Sequence, residues 1–427
     1  MSFLHRIHGA AHHPRAQLLA LMGGAQGLNG LSELLVFRWL DPISMGYWSA
    51  AQMAALPLEA LKLGILSGLA RHYPYLIGSG EPARAHRLVE AALAHSLFMC
   101  GLGLLAAGGF ALVAPESGPA RYAVITVALV WALGYYAQFV RSTLRSSASF
   151  VRLGCIELGL AVLGVFTLSF VFFLGFQGLL LRALLLAALA SAIFFTFRSV
   201  RARPAADWGA IREMFQFGRH TYVTGYILLI GKQAERTMLL AFAGGIEAVG
   251  YYSPVLGVWS LLQVVPSLLH ASSYPQFLEN YGKDHDVRRL LKGLLGQIRK
   301  TAFAMLLMST MVGVAGWSVV TFALPTYSAA ALPICIVCLA GPFLPMRMLA
   351  TYYLARKSWP KYYLFTALEA ILPYVFIPGF LGVMSPLDAV ATGVASATAL
   401  SSVFLLIATI RHAAASPGSL SDSRGVS

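Results

Sequence analysis

Charge is what this sequence has least of. Only 11% of its 427 residues are Asp, Glu, Lys or Arg, against 58% hydrophobic, and its mean hydropathy is +0.71. So few charges cannot solvate the surface of a water-soluble protein of this size. Cysteine is scarce too. Cys100, Cys155, Cys335 and Cys338 all fall in apolar runs. Cys335 and Cys338 form a C-x-x-C without a second pair or a nearby histidine, which reads as packing and not as metal or redox chemistry. No metal site and no cofactor are expected. Also missing is any outer connection longer than about ten residues, which leaves no room for an external catalytic domain.

What is abundant is the apolar run of membrane-spanning length. We read about twelve spans, near 16–37, 47–68, 91–113, 121–140, 151–174, 177–198, 219–242, 250–271, 301–324, 330–354, 362–383 and 387–410. The first is too long for a signal-peptide core and has no small-residue cleavage pattern, so it reads as a retained span. The excess of 31 Lys and Arg over 17 Asp and Glu would suit nucleic acid, but these residues are spread over short connections. Alternate connections are basic: Arg6 and Arg15; Arg71, Arg84 and Arg87; Arg141, Arg145 and Arg152. The same side continues with Arg198, Arg201, Arg203 and Arg212, then Lys283, Arg288, Arg289 and Lys292, then Arg356, Lys357 and Lys361. The other side holds little beyond Arg38 and Arg121. The positive-inside rule then puts both termini in the cytoplasm and excludes a nucleic-acid surface. The basic loops are orientation signals that also meet anionic membrane lipids. His5, His8, His12 and His13 precede the first span without regular ligand spacing, as in a solvated amphipathic segment.

The chain repeats itself. SELLVFRWLDPISMGYWSA parallels AERTMLLAFAGGIEAVGYYSPV. Each ends a span carrying a glutamate, Glu33 or Glu235, and opens the next with Gly-aromatic-aromatic-Ser, at Gly46–Ser49 and Gly250–Ser253. Pro57 and Pro266 follow, then Tyr73–Pro74 and Tyr274–Pro275, then a basic amphipathic segment. Further on, LRSSASFVRLGCIEL matches LARKSWPKYYLFTALEA and sets Glu157 opposite Glu369. Such a register implies two lobes of six spans, residues 1–203 and 204–411, with 412–427 a disordered cytoplasmic tail. An even number of spans per lobe makes the repeats parallel, a plan used by transporters that rock two bundles about a central site.

Several charges lie inside spans, where an ionisable side chain is expensive and faces a partner or a watery cavity. With a helix starting near Thr221, Lys232 is roughly 16 Å and Arg236 roughly 22 Å into the seventh span. They are four residues apart and share a face, with Glu235 on an adjoining one. A cationic pair of this kind would attract a diphosphate, Arg through its fork and Lys as a point charge. The competing reading is an internal ion cluster with Glu235. Glu59 and Lys62, near the middle of the second span, either line a cavity or neutralise each other. Gln26 and Asn29 in the first span can hydrogen-bond sugar hydroxyls or a neighbouring helix. Arg38 reads as an interfacial snorkelling residue, and Arg347 either snorkels or lines a cavity.

At this point the residues resemble a known family. REMFQFGRHTYVTGYILLIGKQAERTMLLAFAGGIEAVGYYSPVLGV, LARHYPYLIGSGEPARAHRL and FALPTYSAAALPICIVCLAGPFLPMRMLATYYLARKSWPKYY are similar to segments of polysaccharide and O-antigen flippases, within the multidrug/oligosaccharidyl-lipid/polysaccharide exporter superfamily. The family often has Asp-Arg in its seventh helix, where this chain has Glu235–Arg236. The resemblance implies an all-α polytopic protein of about twelve helices in two parallel six-helix repeats, V-shaped with a central cavity. It also implies movement of a lipid-linked (polyprenyl-diphosphate) oligosaccharide between leaflets of a bacterial inner membrane by alternating access. No bond chemistry is implied, so the chain is not an enzyme. Contacts with other polysaccharide-assembly proteins would follow. A proton or sodium gradient is the implied drive, with Glu33, Glu235, Glu157 and Glu369 as coupling candidates. Three other functions compete: a cation-coupled drug or metabolite exporter of the same superfamily, a membrane oligosaccharide polymerase or ligase, and an assembly subunit of an exopolysaccharide machine.

Overall fold

A computed structural model describes residues 14–113, 118–147, 149–242, 244–284, 286–356 and 358–414. The four N-terminal histidines, the side chains of Arg6, Arg15 and Lys283, Lys357, and the tail from 415 lie outside what is described. Every described element is helical, and no strand occurs among the described residues. In chain order the helices are α1 (Pro14–Trp39), α2 (Pro42–Ala60), α3 (Ile65–Gly78), α4 (Pro82–Val113), α5 (Pro119–Ser146), α6 (Phe150–Phe166) and α7 (Leu168–Thr196). Then come α8 (Trp208–Lys232), α9 (Ala234–Phe242), α10 (Ile246–Asp284), α11 (Val287–Ala323), α12 (Pro325–Ala355), α13 (Trp359–Leu381) and α14 (Pro386–Ala414).

Eight of these are long and apolar enough to cross a membrane, and α2 with α3, bent by 56°, makes a ninth. Each of the twelve predicted spans falls on helix. The first, fifth and seventh lie on helices too polar or too short to count among these, for visible reasons. Helix α1 carries Gln26, Asn29, Glu33 and Arg38, α6 has only 17 residues, and α8 carries Arg212, Glu213, Arg219 and Lys232. Apolar side chains such as Leu105, Phe173 and Leu339 are exposed, as on a surface that meets lipid and not water. Burial ranks the helices. Only 22% of the apolar window of α4 is covered against 56% for α5, so α5 is an interior helix and α4 a peripheral one.

Two boundaries move. Helix α8 begins at Trp208, well before the predicted 219, because the Asp207 carboxylate caps it by accepting from the Ala210 backbone N–H at 3.0 Å. The seventh span also breaks at Gln233 between α8 and α9. The fifth span is interrupted at Thr167, and α7 turns sharply at Gly175, φ 57°, close to where the fifth and sixth spans were expected to meet.

The chain forms two compact units, Met1–Gly257 and Val258–Ser427. In the first, α1 packs on α6, α4 on α5, α5 on α7, and α8 on α3. In the second, α11 packs on α12, and α14 on both α12 and α13. The first unit thus includes the opening helices of the second sequence repeat, because glycines bring backbones together there. A Cβ on Gly68 would stand 1.9 Å from the Met214 carbonyl oxygen, and one on Gly218 would stand 2.2 Å from that of Gly64. Gly64 and Gly68, four apart, form the small-xxx-small face that permits such a crossing. Beside this crossing, near the start of α8, His72 is stacked on Phe217 with centroids 3.9 Å apart. Its Nε2 lies 2.5 Å from Glu213, which also accepts from Arg84 at 2.8 Å. Hydrogen bonds from Arg84 to Glu81 and Glu213 hold its guanidinium above the ordinary arginine range.

The repeat seen in the sequence meets itself in space. A Cβ on Gly46 would stand 2.0 Å from the Ile246 carbonyl oxygen, and one on Gly250 would stand 1.7 Å from that of Pro42. Each glycine therefore faces the residue four before its counterpart, and the counterpart serines hydrogen-bond, Ser49 Oγ to Ser253 Oγ at 2.8 Å. This reciprocity is that of a two-fold contact. The equivalence of Glu157 and Glu369 is carried the same way, since each pairs with an arginine of the preceding span. Arg141 Nε donates to Glu157 at 2.6 Å, and Arg347 pairs with Glu369.

The α2–α3 break is not at proline. It occupies residues 61–64, where Leu63 has φ 51° and Gly64 φ 71°. A bulky residue in the left-handed region is strained by roughly 1–3 kcal/mol and persists only where its surroundings impose it. Leu63→Gly is expected to raise the unfolding temperature of the purified protein, whereas β-branched Leu63→Val should lower it. Unchanged melting of both in detergent would show that no strain resides there.

Candidate functional site

Helices α2, α5 and α8 meet around the break. Trp131, Tyr135 and Gln138 sit at i, i+4 and i+7 on α5. Tyr222, Tyr226, Leu229 and Gln233 repeat the same interval on α8 and just past it, so each helix turns one stripe inward. Two cavities open between these stripes, of about 220 Å³ and about 270 Å³, and both touch Glu59 and Leu229. The larger is bordered by Gln52, Trp131 and Gln233. The other is bordered by Lys62, Tyr135, Gln138, Tyr222 and Tyr226. We call the pair the chamber.

Glu59 and Lys62 are joined directly, Lys62 Nζ to Glu59 Oε1 at 2.5 Å. Trp131 Nε1 donates to the same oxygen at 2.8 Å. Lys62 also donates to Gln138 Oε1 at 3.1 Å, and its ammonium stands 5.4 Å and 5.2 Å from the ring centroids of Trp131 and Tyr135. Those two rings are stacked, as are Tyr222 and Tyr226. The Tyr222 hydroxyl caps the broken helix by donating to the Ala60 carbonyl. The Glu59–Lys62 pair is thus joined within its helix and also borders a cavity.

The other predicted residues are placed differently. Arg236 donates to Gln233 at 2.9 Å and to Gln52 at 3.3 Å, so it orients two amides that border the chamber without bordering it itself. Lys232 is exposed and is not among the chamber's lining residues. Glu235 is 5% exposed. It lies within electrostatic range of Arg236 and Lys232, and near the Tyr252 hydroxyl without a well-formed hydrogen bond. Lys232 and Arg236 flank the one-residue interruption at Gln233, whose backbone stays in the right-handed helical region. Glu33 lies within electrostatic range of Arg182, which donates to the Gly164 carbonyl at 3.3 Å, and Asn29 and Arg182 both approach the Cβ position of Gly164. Gln26, half-buried on α1, is outside the chamber. Glu157, Glu369 and Arg347 are in the ion pairs described above.

Sequence reading missed Arg182 and the chamber's aromatic and amide lining. Arg182 stands alone in the run LLLRALLL and is found by the rule that found Lys232. The lining shows as the shared i, i+4, i+7 spacing on α5 and α8, visible once two helices are compared.

No family model and no curated protein sequence matches this chain. Solved structures do. A multidrug resistance MATE family transporter of the MOP superfamily in its inward-facing conformation aligns at a TM-score of 0.75 and 14% identity, over 91% of this chain and 95% of that one. The chain has the MATE fold. An outward-facing multidrug resistance MATE transporter aligns at 0.70 and 16% identity, over 95% and 97%. A MOP superfamily transporter from Pyrococcus furiosus, described by a reversed polarity of its binding pocket that suggests a different function, aligns at 0.67 and 13%, over 95% and 97%. Identities this low carry the MATE fold, an all-helical polytopic membrane architecture with two repeats, and nothing about cargo.

Proposed function

We propose that this chain is a transporter of the MOP type that moves a lipid-linked (polyprenyl-diphosphate) oligosaccharide from the inner to the outer leaflet of the cytoplasmic membrane by alternating access, with two homologous lobes and both termini cytoplasmic. The carrying observation is the chamber at the broken helix. It offers a fixed ammonium, Lys62, for an anionic headgroup. Around it stand stacked aromatic faces and three amides, Gln52, Gln138 and Gln233, of the kind that meet sugar rings and hydroxyls. Substrate sites at interrupted helices are the transporter pattern. Arg236 holds two of the amides in place, and Glu33 with Arg182 and Glu235 are the groups able to couple an ion gradient.

The multidrug description of the structural relatives favours a second reading, an exporter of drugs or metabolites. The test is reconstitution of the whole chain in vesicles with a fluorescent polyprenyl-diphosphate N-acetylglucosamine in one leaflet and, separately, a fluorescent organic cation. Time-dependent exposure of the lipid to an outside quencher, without cation transport, is the expected result. Cation transport alone would replace the first reading by the second.

A further inference from the structure

The chamber contains a completed cation cage whose occupant is part of the chain. Four independent groups converge on the Lys62 ammonium: a carboxylate at 2.5 Å, an amide oxygen at 3.1 Å, and the rings of Trp131 and Tyr135 at 5.4 Å and 5.2 Å. Carboxylate and aromatic rings about one ammonium are the chemistry that recognises free organic ammonium ions. The carboxylate is itself fixed, since Trp131 donates to it at 2.8 Å. Open space of about 220 Å³ adjoins the cage, so it is reachable by something other than Lys62. The tether is imposed by the backbone, because Lys62 sits in the 61–64 break beside left-handed Leu63 and Gly64.

We propose that Lys62 is a specificity-determining plug: by occupying the Glu59–Trp131–Tyr135–Gln138 cage it excludes organic cations and leaves the chamber to anionic cargo. This deepens the flippase reading and rests on it for the cargo's sign, while the cage itself is tested without any flipping assay. A free cation must displace an ammonium that is covalently held at high effective concentration. Removing the ammonium leaves the space over two aromatic faces open beside a fixed carboxylate that has only the Trp131 donor to offset it.

The experiment measures binding of radiolabelled tetraethylammonium to the purified full-length protein. Wild type and Lys62→Arg, which keeps a cation in the cage, should bind weakly. Lys62→Met and Lys62→Gln should bind about tenfold tighter or more, and Glu59→Gln added to either should abolish the gain. Binding by the neutral variants no tighter than by wild type, or a gain that survives Glu59→Gln, overturns the proposal. Should both neutral variants fail to fold, wild type alone decides. Tetraethylammonium should leave its unfolding temperature unchanged, and a stabilisation that Glu59→Gln removes would mean Lys62 does not block the cage. Failure of vesicles to flip the polyprenyl-diphosphate probe would count against the flippase reading and leave the plug intact.

Discussion

Cysteines at positions 49 and 253 will join in a disulfide and, on the proposed function, stop transport until reduced. The two serine oxygens are 2.8 Å apart, near enough for sulfur atoms in their place to approach the bonding distance of about 2.05 Å with small adjustment. The contact around them leaves no slack, since Gly46 and Gly250 each lie against a carbonyl of the facing helix. Alternating access requires repeats to part on one side of the cycle, and counterpart segments touching through glycine are where such parting would show. We expect Ser49→Cys with Ser253→Cys, in a background with Cys100, Cys155, Cys335 and Cys338 replaced, to cross-link on mild oxidation. Proteolysis between the two positions followed by non-reducing electrophoresis reads the bond. The vesicle assay should fall to background when oxidised and recover with reductant. Full transport by the cross-linked protein would make the contact a static one.

Alanine at Gly68 or Gly218 is expected to cost about 4 kcal/mol or more, enough to eliminate folded protein. The obstacle is backbone. The added methyl would lie 1.9 Å or 2.2 Å from a carbonyl oxygen, which has no rotamer by which to withdraw, so α3 and α8 must separate. Separation uncovers the His72–Glu213–Arg84 linkage at one end and moves Tyr222 from the Ala60 carbonyl at the other. Gly134→Ala, in the middle of α5 with nothing within 4 Å of its Cβ position, is the control and should fold normally. Yield and thermal unfolding in detergent measure both, and a well-folded Gly68→Ala would refute the close crossing.

The helical membrane class and the repeat register could be read directly from the chain, because both are written in local periodicity. Apolar length marks a span irrespective of its neighbours. Gly46–Ser49 and Gly250–Ser253 were matched as strings before they were seen to meet. Lys62 and Glu59 were identifiable because an intramembrane charge is costly wherever it lies. The partners of those charges could not be read this way. Arg141 with Glu157, Arg347 with Glu369 and Arg182 near Glu33 each join residues 16 or more apart on different helices. The seventh-span charges were placed on one helix, and nothing in their spacing showed that the helix is interrupted between them at Gln233.

By itself, then, the sequence determined what kind of solvent surrounds this protein and which segments are copies of one another. Composition and spacing are properties of the chain and survive any arrangement of it. Only the tertiary structure decided which charges are satisfied and which border open space. That depends on how closely two helices approach, which here is fixed by a few glycines whose missing side chains let backbones touch. Lys62 became a caged ammonium for the same reason. The stripes of α5 and α8 converge on the break in the second span, and no periodicity within one helix reports where another helix lies.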